Sequence, residues 1–167
     1  MKRFLALLAI PVLLVLAAPV MGADLLLATD LITVNRDGTQ DIGDLNIATD
    51  GTITFQIDEA STGWRLQETH LYVGDEAPAR SRPARFPYKH VRLGGVASDA
   101  YVVDFAAADL NCDGVIYVAA QAELVRQIVV NPRIRRPILA HETAWAQGDE
   151  PIGRSRATYI AVYLRIG

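Results

Sequence analysis

Asp50-Gly51-Thr52-Ile53-Thr54-Phe55-Gln56-Ile57-Asp58 decides the fold class. Ile53, Phe55 and Ile57 fall on one side of an extended chain, with Thr52, Thr54, Gln56 and Asp58 on the other. Successive side chains leave a strand on opposite faces, so this alternation marks a half-buried strand with a wet outer face. Asp50-Gly51 ahead of it supplies a tight turn, and Asp44-Leu45-Asn46-Ile47-Ala48 upstream alternates in the same sense. The two segments predict a hairpin.

Working outward, strands are expected over Leu31 to Asn35, Leu66 to Val73, Tyr101 to Ala106, Val115 to Ala120, Ile138 to Trp145 and Ala157 to Leu164. Turn clusters separate most of them: Arg36-Asp37-Gly38, Ser61-Thr62-Gly63, Leu93-Gly94-Gly95, Asp113-Gly114 and Gly148-Asp149-Glu150-Pro151. Ala119 to Val130 admits a helix, but its β-branched later half ends in Asn131-Pro132, which favours a strand. Many short strands with glycine and proline punctuation predict an all-β fold, an antiparallel β-sandwich of about 7–9 strands.

The N-terminus carries a different message. Lys2 and Arg3 precede an apolar run from Phe4 to Val20, which closes in the small residues of Pro19-Val20-Met21-Gly22-Ala23. Charge, apolar stretch and small-residue exit are the parts of a secretory signal peptide. The run approaches spanning length, but Pro11 and Pro19 argue for processing rather than for a retained anchor. The expectation is a signal peptide over 1–23 and one domain over 24–167, secreted to the periplasm or beyond, with no stable membrane anchor after cleavage. Without Lys2 and Arg3 the 16 basic side chains become 14 against 19 acidic ones, a net charge near −5. That balance disfavours a general nucleic-acid binder. Cys112 is the sole cysteine, so stability has to come from the core rather than from an internal disulfide.

Three constellations carry chemistry. Glu68-Thr69-His70 and His141-Glu142-Thr143 are near-mirror triplets. On a strand Glu68, His70 and Tyr72 project together while Thr69, Leu71 and Val73 face the core. A neighbouring strand bearing His141 and Glu142 would assemble imidazoles and carboxylates suited to zinc, and an open position would make the site hydrolytic. Against this, His141 and Glu142 point to opposite faces, and a cross-strand carboxylate–histidine pair is the simpler reading. Asp109, Asn111 and Asp113, followed by Gly114, match the first half of a calcium loop, although Ala120 stands where a closing carboxylate belongs. An Asx-rich turn accounts for the same residues. Arg80, Arg82, Arg85, Lys89 and His90 interleave with Phe86 and Tyr88 in a proline-bearing loop that could grip an anionic glycan. The competing reading is a solvated loop whose aromatics plug the sandwich end. Trp64 and Trp145 read as packing rather than as a sugar platform. No serine stands in a nucleophile-elbow spacing, and no glycine-rich phosphate cradle is present.

The strings Trp64-Arg65-Leu66-Gln67-Glu68-Thr69-His70-Leu71-Tyr72-Val73-Gly74, Phe86-Pro87-Tyr88-Lys89-His90, Ile116-Tyr117-Val118-Ala119-Ala120 and Glu142-Thr143-Ala144-Trp145-Ala146-Gln147-Gly148 resemble a recurring domain of secreted and surface bacterial proteins with no assigned activity. The resemblance spans Asp41 to Gly148. Its pattern has a histidine where Gln121 stands and a glycine where Ala84 stands. It implies an extracellular β module and adds no chemistry. The resulting expectation is a secreted, non-enzymatic module that binds a cell-envelope or matrix component or an anionic glycan. A metal-dependent hydrolase using Glu68, His70, His141 and Glu142 is the alternative.

Overall fold

The computed structural model describes residues 23–35, 38–128 and 138–164. The expected signal peptide up to Gly22 and the expected turn at Arg36-Asp37 lie outside them, as do residues 129–137.

The described chain is almost wholly extended. It runs β1 (Leu25–Asn35), β2 (Gly38–Ala48), β3 (Thr52–Ile57), a helical turn α1 (Glu59–Thr62), β4 (Arg65–Gly74), a 3-10 turn at Pro83–Arg85, β5 (Tyr88–His90), β6 (Ser98–Val102), a second helical turn α2 (Phe105–Ala108), β7 (Val115–Ile128), β8 (Ile138–Ala146), β9 (Glu150–Pro151) and β10 (Thr158–Tyr163). Every pairing is antiparallel, in the order β5-β4-β7-β8-β1-β2-β3-β6, with β10 beside β7 and β9 beside β10. The expected all-β antiparallel fold is therefore present. The sheet curls back on itself, so that β6 at one end comes round to β4, the strand next to β5 at the other.

The predicted hairpin is the β2–β3 ladder, in register from Gly43↔Ile57 to Ile47↔Ile53. Ile53, Phe55 and Ile57 are buried, as the alternation requires. Gly51 turns the corner at φ 85°, and a Cβ there would stand 2.0 Å from the Val103 carbonyl oxygen. Only glycine fits both the dihedral and the gap. Tyr101 to Ala106 is not one strand, however: β6 ends at Val102, and Phe105–Ala108 form a helical turn. The Asp104 carboxylate accepts from the Ala107 N–H and caps that turn, a local bond that competes with extension. Ala119 onward is strand, as the β-branched residues indicated, and continues to Ile128.

β7 organises the rest. One of its edges pairs with β4 from Arg65↔Val125 to Gly74↔Tyr117. The other edge pairs first with β10 over Val115–Val118 and then with β8 over Gln121–Ile128. Ile116, Val118, Ala120, Ala122 and Leu124 point inward and are fully buried. They meet Leu31, Ile42, Leu45, Ile47, Ile53, Phe55, Leu66 and Leu71 in the main core. The register of β4 shifts between Leu66 and Glu68. This bulge lets Leu66 face inward while Thr69, Leu71 and Val73 still do so further along.

Closure between β4 and β6 relies on side chains more than on a ladder. One backbone bridge, Leu66↔Val96, is followed by a polar seam. The fully buried Thr69 hydroxyl lies 2.5 Å from Asp99 Oδ2 and 2.7 Å from the Tyr101 hydroxyl. His90 Nδ1 reaches both Asp99 oxygens at 3.0 Å, and its ring stacks on Tyr101 at 4.3 Å. Burial foremost raises the Tyr101 pKa above its ordinary 10.0, with the Thr69 hydrogen bond opposing and the Asp99 charge reinforcing the shift.

Candidate functional site

The outer face of β4, β7 and β8 gathers the chemistry. Cross-strand partners share a face, and the register aligns His70 with Gln121, Glu68 with Glu123, Gln121 with Trp145, Glu123 with Thr143 and Val125 with His141. Glu68, His70 and His141 thus line one concavity of about 560 Å³, together with Gln121 and Glu123 and under Pro83 and Ala84. Glu142 does not join them. It is the partner of the core residue Leu124, so alternation turns it to the face opposite His141. Among the described residues no three His, Cys, Asp or Glu side chains are placed to hold a metal ion. Of the four-residue zinc set, three members share a face, and the fourth leaves it because its strand pleats, as the opposite facing of His141 and Glu142 on a strand implies.

The pairing inside this concavity is specific. His70 Nε2 stands 3.5 Å from Glu68 Oε2, a carboxylate–histidine pair within β4 rather than the expected cross-strand one. Gln121 Nε2 donates to Glu123 Oε1 at 2.5 Å, and the Thr143 hydroxyl donates to Glu123 Oε2 at 3.3 Å. His70 Nδ1 and Gln121 Oε1 are buried without a hydrogen-bond partner. Gln121, the position where the chain departs from the resembled pattern, is therefore the direct neighbour of His70. Glu123 escaped the sequence reading. Its signal was the period-two series Tyr117, Ala119, Gln121, Glu123, which becomes visible once Ala119 to Ile128 is taken as a continuation of Val115 to Ala120.

The proline-bearing loop lies as a strap over the neighbouring part of this face. Phe86 is buried against Ala119, Ile152 and Ala157, with Tyr72, Trp145 and Tyr159 packed around them. Its ring centroid is 5.9 Å from Tyr72 and 6.2 Å from Trp145. Ala119 makes room for it, since a larger outward residue at that point of β7 would fill the slot. The aromatics therefore do plug something, but Phe86 plugs a second small core outside the sheet rather than the sandwich end. Tyr88 packs against the main core, and His90 belongs to the closing seam. Trp145 is a wall of the outer core, and Trp64 is buried in the main one with the Arg126 guanidinium 4.4 Å over its ring.

With Phe86 anchored, Arg80, Arg82, Arg85 and Lys89 stand exposed, and none forms an ion pair among the described residues. Free cations on a pinned backbone can grip a phosphate, sulfate or carboxylate with little further ordering of the chain.

The Asp109-Asn111-Asp113 loop spends its oxygens on its own backbone. Asp109 Oδ1 and Oδ2 accept from the Asp113 and Gly114 N–H groups at 3.2 and 2.9 Å. Asn111 Oδ1 accepts from Asp113 N–H at 3.0 Å, and Asp113 Oδ1 from Val115 N–H at 2.9 Å. This is the nested Asx turn that leads into β7. Cys112 lies in it as an exposed free thiol at φ 57°.

No family model, curated protein or solved structure matches this chain.

Proposed function

We propose that this chain is a secreted, non-enzymatic β module of the recurring extracellular type it resembles. It works by presenting the Arg80, Arg82, Arg85 and Lys89 strap to an anionic polymer of the cell envelope or matrix, an acidic glycan foremost. One observation carries the reading: four exposed cations without ion-pair partners among the described residues sit on a loop pinned by the buried Phe86 ring. The chain is net acidic, so affinity for a polyanion has to arise from this local patch rather than from overall charge. The hydrolase alternative draws less support, since Glu142 faces away from Glu68, His70 and His141.

The test is retention of the exported protein on immobilised dextran sulfate and polygalacturonate, with neutral dextran as control. The acidic polymers should retain it, and rising salt should release it as counterions compete. The triple variant Arg80→Gln, Arg82→Gln, Arg85→Gln should weaken retention at least about tenfold, because each lost charge-assisted hydrogen bond is worth ~1.5–3 kcal/mol. Equal retention on neutral dextran, or an unchanged affinity in the triple variant, rejects the proposal.

A further inference from the structure

The outer face of β1 departs from the pattern that governs β3. The outward residues of β3 are Thr52, Thr54 and Gln56, whereas those of β1 beside β8 are Ile32 and Val34. Ile32 stands opposite Trp145 in the β1–β8 ladder, so three apolar side chains share this part of the outer face. All three line a concavity of about 520 Å³, within the size range of small-molecule sites. Gln147 and Arg156 supply polar groups to the same lining. Arg156 is exposed and forms no ion pair among the described residues. Glu142 borders the concavity but belongs to the other face of β8, and Glu123 is already bonded by Gln121 and Thr143. Trp145 is only half-buried: Phe86 meets its ring at 6.2 Å and 80° on the strap side, and the same indole lines the concavity. Packing against the strap accounts for part of this side chain and leaves an aromatic surface beside a free guanidinium.

We propose that this concavity is a sugar-ring subsite for a hexuronate residue, an inference that rests on the acidic-glycan reading of the strap and deepens it. A uronate pyranose has an apolar C–H face, a rim of hydroxyls and one carboxylate. The C–H face matches the Trp145 ring together with Ile32 and Val34. The hydroxyls match the Gln147 amide, which both donates and accepts. The carboxylate matches the planar, two-pronged guanidinium of Arg156. A polyanion without rings offers nothing to the apolar lining, and a neutral sugar leaves the guanidinium without its anion. Trp145 borders both the Phe86 anchor and the concavity, so a polymer held by the strap lies alongside the subsite.

Tryptophan fluorescence of the exported protein decides the matter. The chain has two tryptophans, and Trp64 keeps only 5% of its surface, so quenching by acrylamide reads Trp145. Trigalacturonate should bind with a Kd of about 1 mM or tighter and shield Trp145 from the quencher, with maltotriose at least about tenfold weaker. Polyphosphate should be retained by the strap yet leave Trp145 open to acrylamide. Arg156→Gln should weaken trigalacturonate about tenfold or more with polyphosphate retention unchanged, which separates the subsite from the strap. Val34→Glu, which sets a like charge at an exposed position of the lining, should do the same. Loss of polyphosphate retention with Trp145 still shielded by trigalacturonate removes the strap and keeps the subsite. Equal shielding by polyphosphate, equal affinity for maltotriose, full trigalacturonate affinity in both Arg156→Gln and Val34→Glu, or no shielding at about 10 mM trigalacturonate overturns the proposal.

Discussion

Replacing Phe86 with alanine should detach the strap from the sheet. The ring keeps only 5% of its surface and contacts Tyr72 and Trp145 in the outer core. Burying such a side chain contributes ~1.5–3 kcal/mol. Each of its two aromatic pairs adds ~0.5–1.5 kcal/mol beyond area. The sum agrees with the ~3–5 kcal/mol typical of Phe→Ala in a packed core. The outer core is small, however, and the main core beneath it does not include Phe86. Release of the strap is therefore cheaper than unfolding the sheet, and the loss should appear first as local opening. Trypsin reads that opening directly, because it cuts after arginine unless proline follows. Arg80 and Arg85 precede Ser81 and Phe86, whereas Arg82 precedes Pro83 and serves as an internal control. Cleavage after Arg80 should accelerate at least about tenfold in Phe86→Ala, with β7 and β8 still intact. Cleavage after Arg85 should follow, although alanine then stands next to the cut bond. Unchanged cleavage together with a destabilisation below about 1 kcal/mol would refute the single-anchor argument.

Three further outcomes are expected. Thr69→Val removes a buried donor from Asp99 while the Tyr101 hydroxyl keeps the Thr69 carbonyl, and should cost about 1–3 kcal/mol in urea titrations. The raised Tyr101 pKa means that the unfolded chain sheds its phenolic proton first. Stability should therefore be flat below about pH 10 and fall as pH rises beyond it, with Tyr72, raised mainly by burial, adding to the slope. Tyr101→Phe should flatten that alkaline decline, and an unaltered slope in the variant counts against the seam as its source. Asp109→Ala frees the Asp113 and Gly114 N–H groups and should lower stability by about 1–3 kcal/mol to the same extent with and without EDTA. A melting temperature that rises with added calcium in the unmodified protein would instead restore an ion to that loop.

What the sequence disclosed follows from the range of the interaction involved. The β2–β3 hairpin needs only alternation and a glycine turn, both local, and its buried residues could be named in advance. The inward set Thr69, Leu71 and Val73 was equally legible. Tyr101 to Ala106 misled because the Asp104 cap, a single side-chain bond, outweighs β-propensity at Phe105. The candidate site was half visible. Glu68 and His70 lie on one strand and announce themselves by spacing. Their facing residues Glu123 and Gln121 depend on the register between β4 and β7, which long-range packing sets. The docking of Phe86 on Ala119 is non-local in the same way, since nothing in a proline-rich loop names the slot that receives its ring.

The placement of β7 also governs when the molecule can be finished. β1, β2 and β3 are successive neighbours and can pair as soon as they are made. The other edge of β1 has to wait for Ala144–Ala146, and the first half of β7 for Ile160–Tyr163 at the far end of the chain. Contacts of such long sequence separation slow folding, whatever the final stability. A chain emerging N-terminus first therefore carries an unpaired β1 edge for most of its delivery, and such an edge invites pairing with another chain. The hazard is one of timing: the last strand to arrive ends the interval in which a half-made sheet can aggregate.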